Sequence, residues 1–143
     1  MKMEIDRAEM KQRVREILAR HEGVDECISM YQLFYAITGD PIIPGRKVDQ
    51  TRLIRSIIAE LQQDGERIVH KSGGGGGYFT AASNDDIEQE AVWFRKRALS
   101  AFRRERMLRR IGTEELLRQY ELELNENKSQ ENPGETDELT TRN

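Results

Sequence analysis

Arg52 and Arg55 stand three residues apart, one helical turn, with Gln50, Thr51 and Ser56 beside them. Guanidinium forks match the O6 and N7 acceptors of guanine, and amides and hydroxyls reach other base edges or phosphates, so the set suits the major groove of duplex DNA. Further on, Lys71 precedes a run of five glycines at 73–77. Gly74, Gly75 and Gly76 are expected at a hairpin tip, where backbone without side chains adopts positive φ and approaches a phosphate or a groove closely. Lys71 would add a phosphate contact. Alanines at this tip are expected to leave the fold intact, because the tip lies outside the core. A third basic set, Lys96, Arg103, Arg106 and Arg110, projects within one broad sector of a helix at about 100° per residue, a stripe suited to a phosphate backbone.

Other chemistries find less support. A phosphate-binding loop needs Gly-Lys-Ser/Thr after the glycines and a helix behind them, whereas Lys71-Ser72 come before them and a strand follows. The dinucleotide fingerprint lacks a surrounding βαβ unit. His21 and His70 lie far apart, Cys27 is the single cysteine, and no paired zinc-ligand spacing exists. No residues mark a paired-carboxylate site. The chain reads as a non-enzyme with no cofactor, no metal and no evident small-molecule ligand, and Cys27 as a small buried thiol.

The elements that must position these residues follow from apolar spacing. Leu53, Ile54, Ile57, Ile58 and Leu61 form one helix face, with Asp49 as N-cap and Gly65 as the left-handed residue that ends it. Ile68-Val69-His70-Lys71 and Tyr78-Phe79 around the glycines predict a β-hairpin. Upstream, Asp6 caps a helix carrying Met10, Val14, Ile17 and Leu18 to about His21, with Gly23 as a stop. Ser29 caps a second, carrying Met30, Leu33, Phe34 and Ile37 and ending near Gly39; Pro41 and Pro44 cannot continue it. Downstream, Ser83 with Asp86 opens a long helix to about Ile111, Gly112 breaks it, and Thr113 starts a short last helix through Leu124. The long helix has a seam of Ile87, Ala91, Phe94, Ala98, Ala101 and Leu108, interrupted by Glu105. Two roles stay open for it: packing on the first helix, or pairing with its copy in a homodimer. Trp93 and Phe94 read as core or interface.

The segment Arg52-x-x-Arg55-x-x-Ile58-x-x-Leu61-x-x-x-Gly65-x-x-Ile68, closed by the glycine cluster and Tyr78-Phe79, resembles the winged helix-turn-helix DNA-binding domain of the biotin-repressor type. It resembles more closely small phage and prophage proteins that carry this domain plus an Arg-rich C-terminal helix. The likeness covers residues 5–110. Its linker is long: residues 39–47 intervene where the compact pattern has about three or four residues between the two helices. The resemblance implies transcription regulation or replication initiation.

With 143 residues, 36% apolar and 34% charged, the chain is one modest domain with appendages. The net charge of −3 hides an uneven distribution, because from Tyr120 onward seven acids face only Lys128 and Arg142. The expected fold is mostly α with a small β-hairpin: a winged helix-turn-helix at 1–82, a long basic helix and short terminal helix at 83–124, and a disordered acidic tail at 125–143. No apolar run spans a bilayer, and Met1-Lys2-Met3-Glu4 lacks the apolar region of a signal peptide. With a lone cysteine, this predicts a cytoplasmic protein without a membrane partner. The expected function is sequence-specific binding of double-stranded DNA. The alternative is a protein–protein interaction module in a phage replication or transcription complex, without DNA binding of its own.

Overall fold

The apolar stripes of the first three helices become their buried faces, whereas the seam expected on the long helix stays largely exposed, Phe94 at 47% and Leu108 at 86%. The computed structural model describes residues 5–45 and 49–131. Helices α1 (Arg7–Ala19), α2 (Met30–Thr38) and α3 (Arg52–Gln63) are followed by strands β1 (Ile68–Lys71) and β2 (Gly77–Thr80), then α4 (Asn84–Arg109) and α5 (Thr113–Glu131). The protein is thus mostly helical with one small antiparallel hairpin, as expected. Two compact units divide between Phe94 and Arg95, and α4 contributes to both.

In the first unit Met10, Val14 and Leu18 of α1 meet Leu33 and Ile37 of α2 and Ile54, Ile57, Ile58 and Leu61 of α3, with Ile28 and Ile68 completing the core. Each full burial of such a side chain contributes roughly 1.5–3 kcal/mol. Leu53 is the exception, at 42% exposed. The local signals explain the helix ends. Ser29 and Gln32 form a reciprocal capping box ahead of α2, and Gly39 closes that helix at φ 74°. After α3, Gly65 adopts φ 94°. Its N–H donates to the Gln62 carbonyl and that of Glu66 to the Leu61 carbonyl, both at 3.0 Å, the paired bonds that satisfy a helix's last acceptors. The cap position falls on Thr51, two residues past the expected Asp49, whose carboxylate accepts from the N–H and hydroxyl of Thr51, and the helix starts at Arg52.

The hairpin pairs Ile68 with Thr80, Val69 with Phe79, His70 with Tyr78 and Lys71 with Gly77. The segment between α1 and α2 lies along its other edge. The Gly23 N–H donates to Thr80 O at 2.9 Å, the Thr80 N–H to His21 O at 2.7 Å, and Ile28 and Tyr78 exchange two bonds at 2.8 Å. A Cβ on Gly77 would collide with the Ile28 carbonyl, so this crossing requires glycine.

In the second unit α4 and α5 run antiparallel. Arg106 donates to the Thr113 hydroxyl near the turn, and Tyr120 donates to Glu105 farther from it. The helix break comes before Gly112. Arg110 itself takes the left-handed conformation, φ 54°, and the Ile111 N–H donates to Arg106 O at 3.2 Å. α5 continues past Leu124 through Glu131, because Glu126, Lys128, Gln130 and Glu131 are good helix formers. Of the expected tail, 132–143 lie outside the described residues. Among the described residues no helix is long and apolar enough to cross a membrane.

Candidate nucleic-acid interface

The candidate residues on α3 divide by burial. Facing away from the core at about 100° per residue are Arg52, Ser56 and Gln63, all exposed. The Arg52 backbone N–H donates to Asp49 O at 3.4 Å, and its side chain pairs with no other described residue. Arg55 lies on the flank, its Nη1 2.8 Å from Asp49 Oδ2. The hydroxyl and amide of Thr51, with the Arg55 charge added, hold the Asp49 carboxyl below the usual carboxylate range. Ser56 Oγ accepts from Arg7 Nη2 at 3.2 Å.

Two of the expected contacts have other work. Thr51 is only 6% exposed and spends its hydroxyl on Asp49 at 2.7 Å, so it is a positioning residue, not a surface contact. Gln50 is half-buried and braces the linker, donating to Ile43 O at 3.1 Å and accepting from the Ile43 N–H at 3.3 Å. Arg7 was not evident as a site residue: it reaches α3 from α1, pairing with Glu60 at 2.9 Å. Lys11 bridges Glu60 and Asp64 at 2.8 and 2.7 Å. The only sequence signal for this pair is its four-residue spacing, which puts both cations on one side of α1.

The hairpin joins the C-terminal end of α3, where Gln62 Nε2 donates to Ile68 O at 2.8 Å, and Tyr78 packs against the first unit's core. Burial raises the Tyr78 phenol above its ordinary pKa, and the Arg55 charge opposes that rise. Lys71, Gly74 and Gly75 are exposed. At the tip the left-handed positions are Gly73 and Gly75, and the Cys27 thiol donates to Gly75 O at 3.4 Å. Gly76 is constrained differently: a Cβ there would strike the carbonyls of Lys71 and Gly73. The expectation that alanines at 74–76 leave the fold intact therefore fails at Gly76, whose N–H closes the turn onto Gly73 O at 3.0 Å.

Behind β1 lies a polar cluster that sequence spacing does not reveal. Glu90 is 8% exposed, the one buried residue of α4. It accepts the His70 backbone N–H at 3.0 Å, and His70 Nδ1 lies 2.7 Å from the same oxygen. The His70 ring meets Trp93 edge to face, centroids 4.7 Å apart. This clamps the start of α4 to the hairpin, together with Ile87, which packs on Val69, Phe79 and Ala81.

On the second unit's part of α4, Lys96 and Arg103 are exposed. Arg106 is half-buried with Nη1 2.9 Å from the Thr113 hydroxyl. Arg110 occupies the helix-ending position. Glu105, which breaks the apolar seam, is explained by its partners: Tyr120 Oη donates to it at 2.6 Å and Arg109 Nε at 2.7 Å. These bonds, Tyr120 first, hold its carboxyl below the ordinary range and raise the Tyr120 phenol. No protein-family model matches the chain, and neither does any curated protein or solved structure.

Proposed function

We propose that the protein is a winged helix-turn-helix factor that binds double-stranded DNA sequence-specifically, as a phage- or prophage-type regulator of transcription or a replication-associated protein in the cytoplasm. Helix α3 enters the major groove, and the hairpin lies on the flanking backbone. One observation carries this: α3 buries Ile54, Ile57, Ile58 and Leu61 at 3% exposure or less and turns Arg52 outward, with Arg55 one turn on and Arg7 reaching the same helix from α1. Arg52 reads a base edge. Arg55 follows by exchanging Asp49 for a guanine or phosphate, and Lys71 and the tip amides hold phosphate. The Arg-rich run of α4 attracts the polyanion at longer range. No catalytic step and no cofactor enter this proposal.

The test is selection of bound sequences from a random duplex pool, followed by a salt series on the winner. The expected results are one enriched sequence, lost in Arg52→Ala, and an affinity falling by a log–log slope of about −0.9 for each of about four phosphate contacts. A second reading, a module that docks a partner protein without DNA, draws on the charge of the first unit: residues 1–94 hold twelve basic and sixteen acidic residues. No enrichment and a slope near zero would favour it.

A further inference from the structure

Phe102 and Tyr120 meet edge to face between α4 and α5, centroids 5.3 Å apart, and so fix which side of each helix faces the other. At about 100° per residue, Leu99 lies about 60° around α4 from Phe102, while Leu117 and Leu124 lie about 60° and 40° around α5 from Tyr120, all in the same rotational sense. In antiparallel helices the same sense leads to the same side. The three leucines therefore share one face of the helical hairpin, and they are 60%, 48% and 60% exposed. Charge edges this face in two lines. Lys96, Arg103 and Arg110 recur every seven residues along α4, and Glu114 and Glu121 do so along α5, followed by Lys128. Each line sits about 80–120° from its aromatic residue, so one edge is basic and the other largely acidic.

We infer that this face docks against the same face of a second copy of the chain, as a two-fold dimer whose axis runs parallel to the helices. That axis lays α4 of each copy antiparallel on α5 of the other, with the leucines between them. Arg103 then faces the partner's Glu121 and Arg110 faces the partner's Glu114, while Lys96 and Lys128 make the one like-charged pairing. A two-fold axis across the helices would instead set basic edge on basic edge. The face is about 22 Å long and two helices, about 20 Å, wide, below the ~800 Å² per partner of a standard interface. The dimer is accordingly reversible, with a dissociation constant in the micromolar range. The proposal does not depend on DNA binding.

Sedimentation equilibrium of the full chain, 16.6 kDa as a monomer, tests it from micromolar to near-millimolar concentration. The mass should rise toward twice that value. Arg103→Glu and Glu121→Arg should each weaken association about tenfold, since each change creates two like-charged contacts per dimer, and combining them should restore it to within about threefold. Leu124→Lys should leave a monomer with the parent's helical circular dichroism. A parent that stays monomeric throughout overturns the proposal. So does a dimer indifferent to these changes, or a double variant no better than the singles.

Discussion

Arg52 and Arg55 sit one turn apart but differ in what DNA binding asks of them. The Arg52 side chain is unengaged among the described residues, whereas that of Arg55 must leave Asp49, 2.8 Å away. Arg52→Ala should therefore lose roughly 1–3 kcal/mol on the selected sequence, as bidentate base contacts do, and Arg55→Ala less. Quantitative titration of specific and random duplexes checks this. Equal losses on both would demote Arg52 to a backbone contact. Asp49→Ala frees Arg55 but strips Thr51 of its partner, and should lower thermal stability. At the hairpin, Gly76→Ala forces a Cβ onto the Lys71 and Gly73 carbonyls and should destabilise by roughly 1–3 kcal/mol, as overpacking does. Gly74→Ala meets open space and should be nearly silent in the same denaturant titration. The sequence could show that glycine was wanted here. It could not show which of the five answers to positive φ and which to a close carbonyl, because that depends on how Lys71 and Ile28 pass the turn.

At the scale of elements, periodicity carried α1, α2 and α3, since a buried helix face repeats its apolar residues locally. The caps Ser29, Gly39 and Gly65 were legible for the same reason. The contacts of residues 21–28 with β2 were not: four backbone hydrogen bonds join residues fifty or more positions apart, and no side-chain pattern announces them. The Glu90–His70 clamp escaped likewise, because a lone acid on a helix reads as a solvated face. Arg110 ends α4 although Gly112 offered the stronger signal, with the local bonds Arg110 N–H to Met107 O and Ile111 N–H to Arg106 O closing the helix there. The α1–α3 ion cluster yields a pH prediction. Hydrogen bonds from Lys11 and then Arg7 hold Glu60 below its ordinary carboxylate range, and hydrogen bonds to Asp64 and then Glu60 raise Lys11. A carboxylate with a depressed folded pKa leaves the unfolded chain binding more protons in between, so its stabilising contribution is present above the unfolded pKa, about 4.3, and is lost as pH falls through the folded value. Glu60→Gln should flatten the loss of thermal stability between about pH 5 and pH 3. A parent-like acid profile in that variant would remove Glu60 from the account.

For the whole molecule, charge is segregated along the chain. Residues 1–94 hold twelve basic and sixteen acidic residues, residues 95–110 eight and one, and residues 111–143 three and nine. A polyanion approaching from solution meets one strongly positive stretch flanked by negative ones, and the acidic C-terminal residues are expected to compete with it for that stretch at high effective concentration. The helix of α5 extends through Glu131, so truncation after Asn125 would cut a helix; the informative stop is after Glu131. It removes Glu135, Asp137, Glu138 and Arg142 and takes the net charge from −3 to −1. Affinity for a random duplex should then rise by a factor of about two to five at low salt and converge with the parent near 0.5 M, where screening shortens the reach of exposed charges to a few ångströms. The enriched sequence itself should not change, because the proposed base contacts lie on α3, outside the segment removed. If the truncated chain binds random duplex as the parent does in low salt, the last residues do not compete for the Arg95–Arg110 stretch, and the weak net charge of the first unit must be overcome locally by Arg7, Arg52, Arg55 and Lys71 alone.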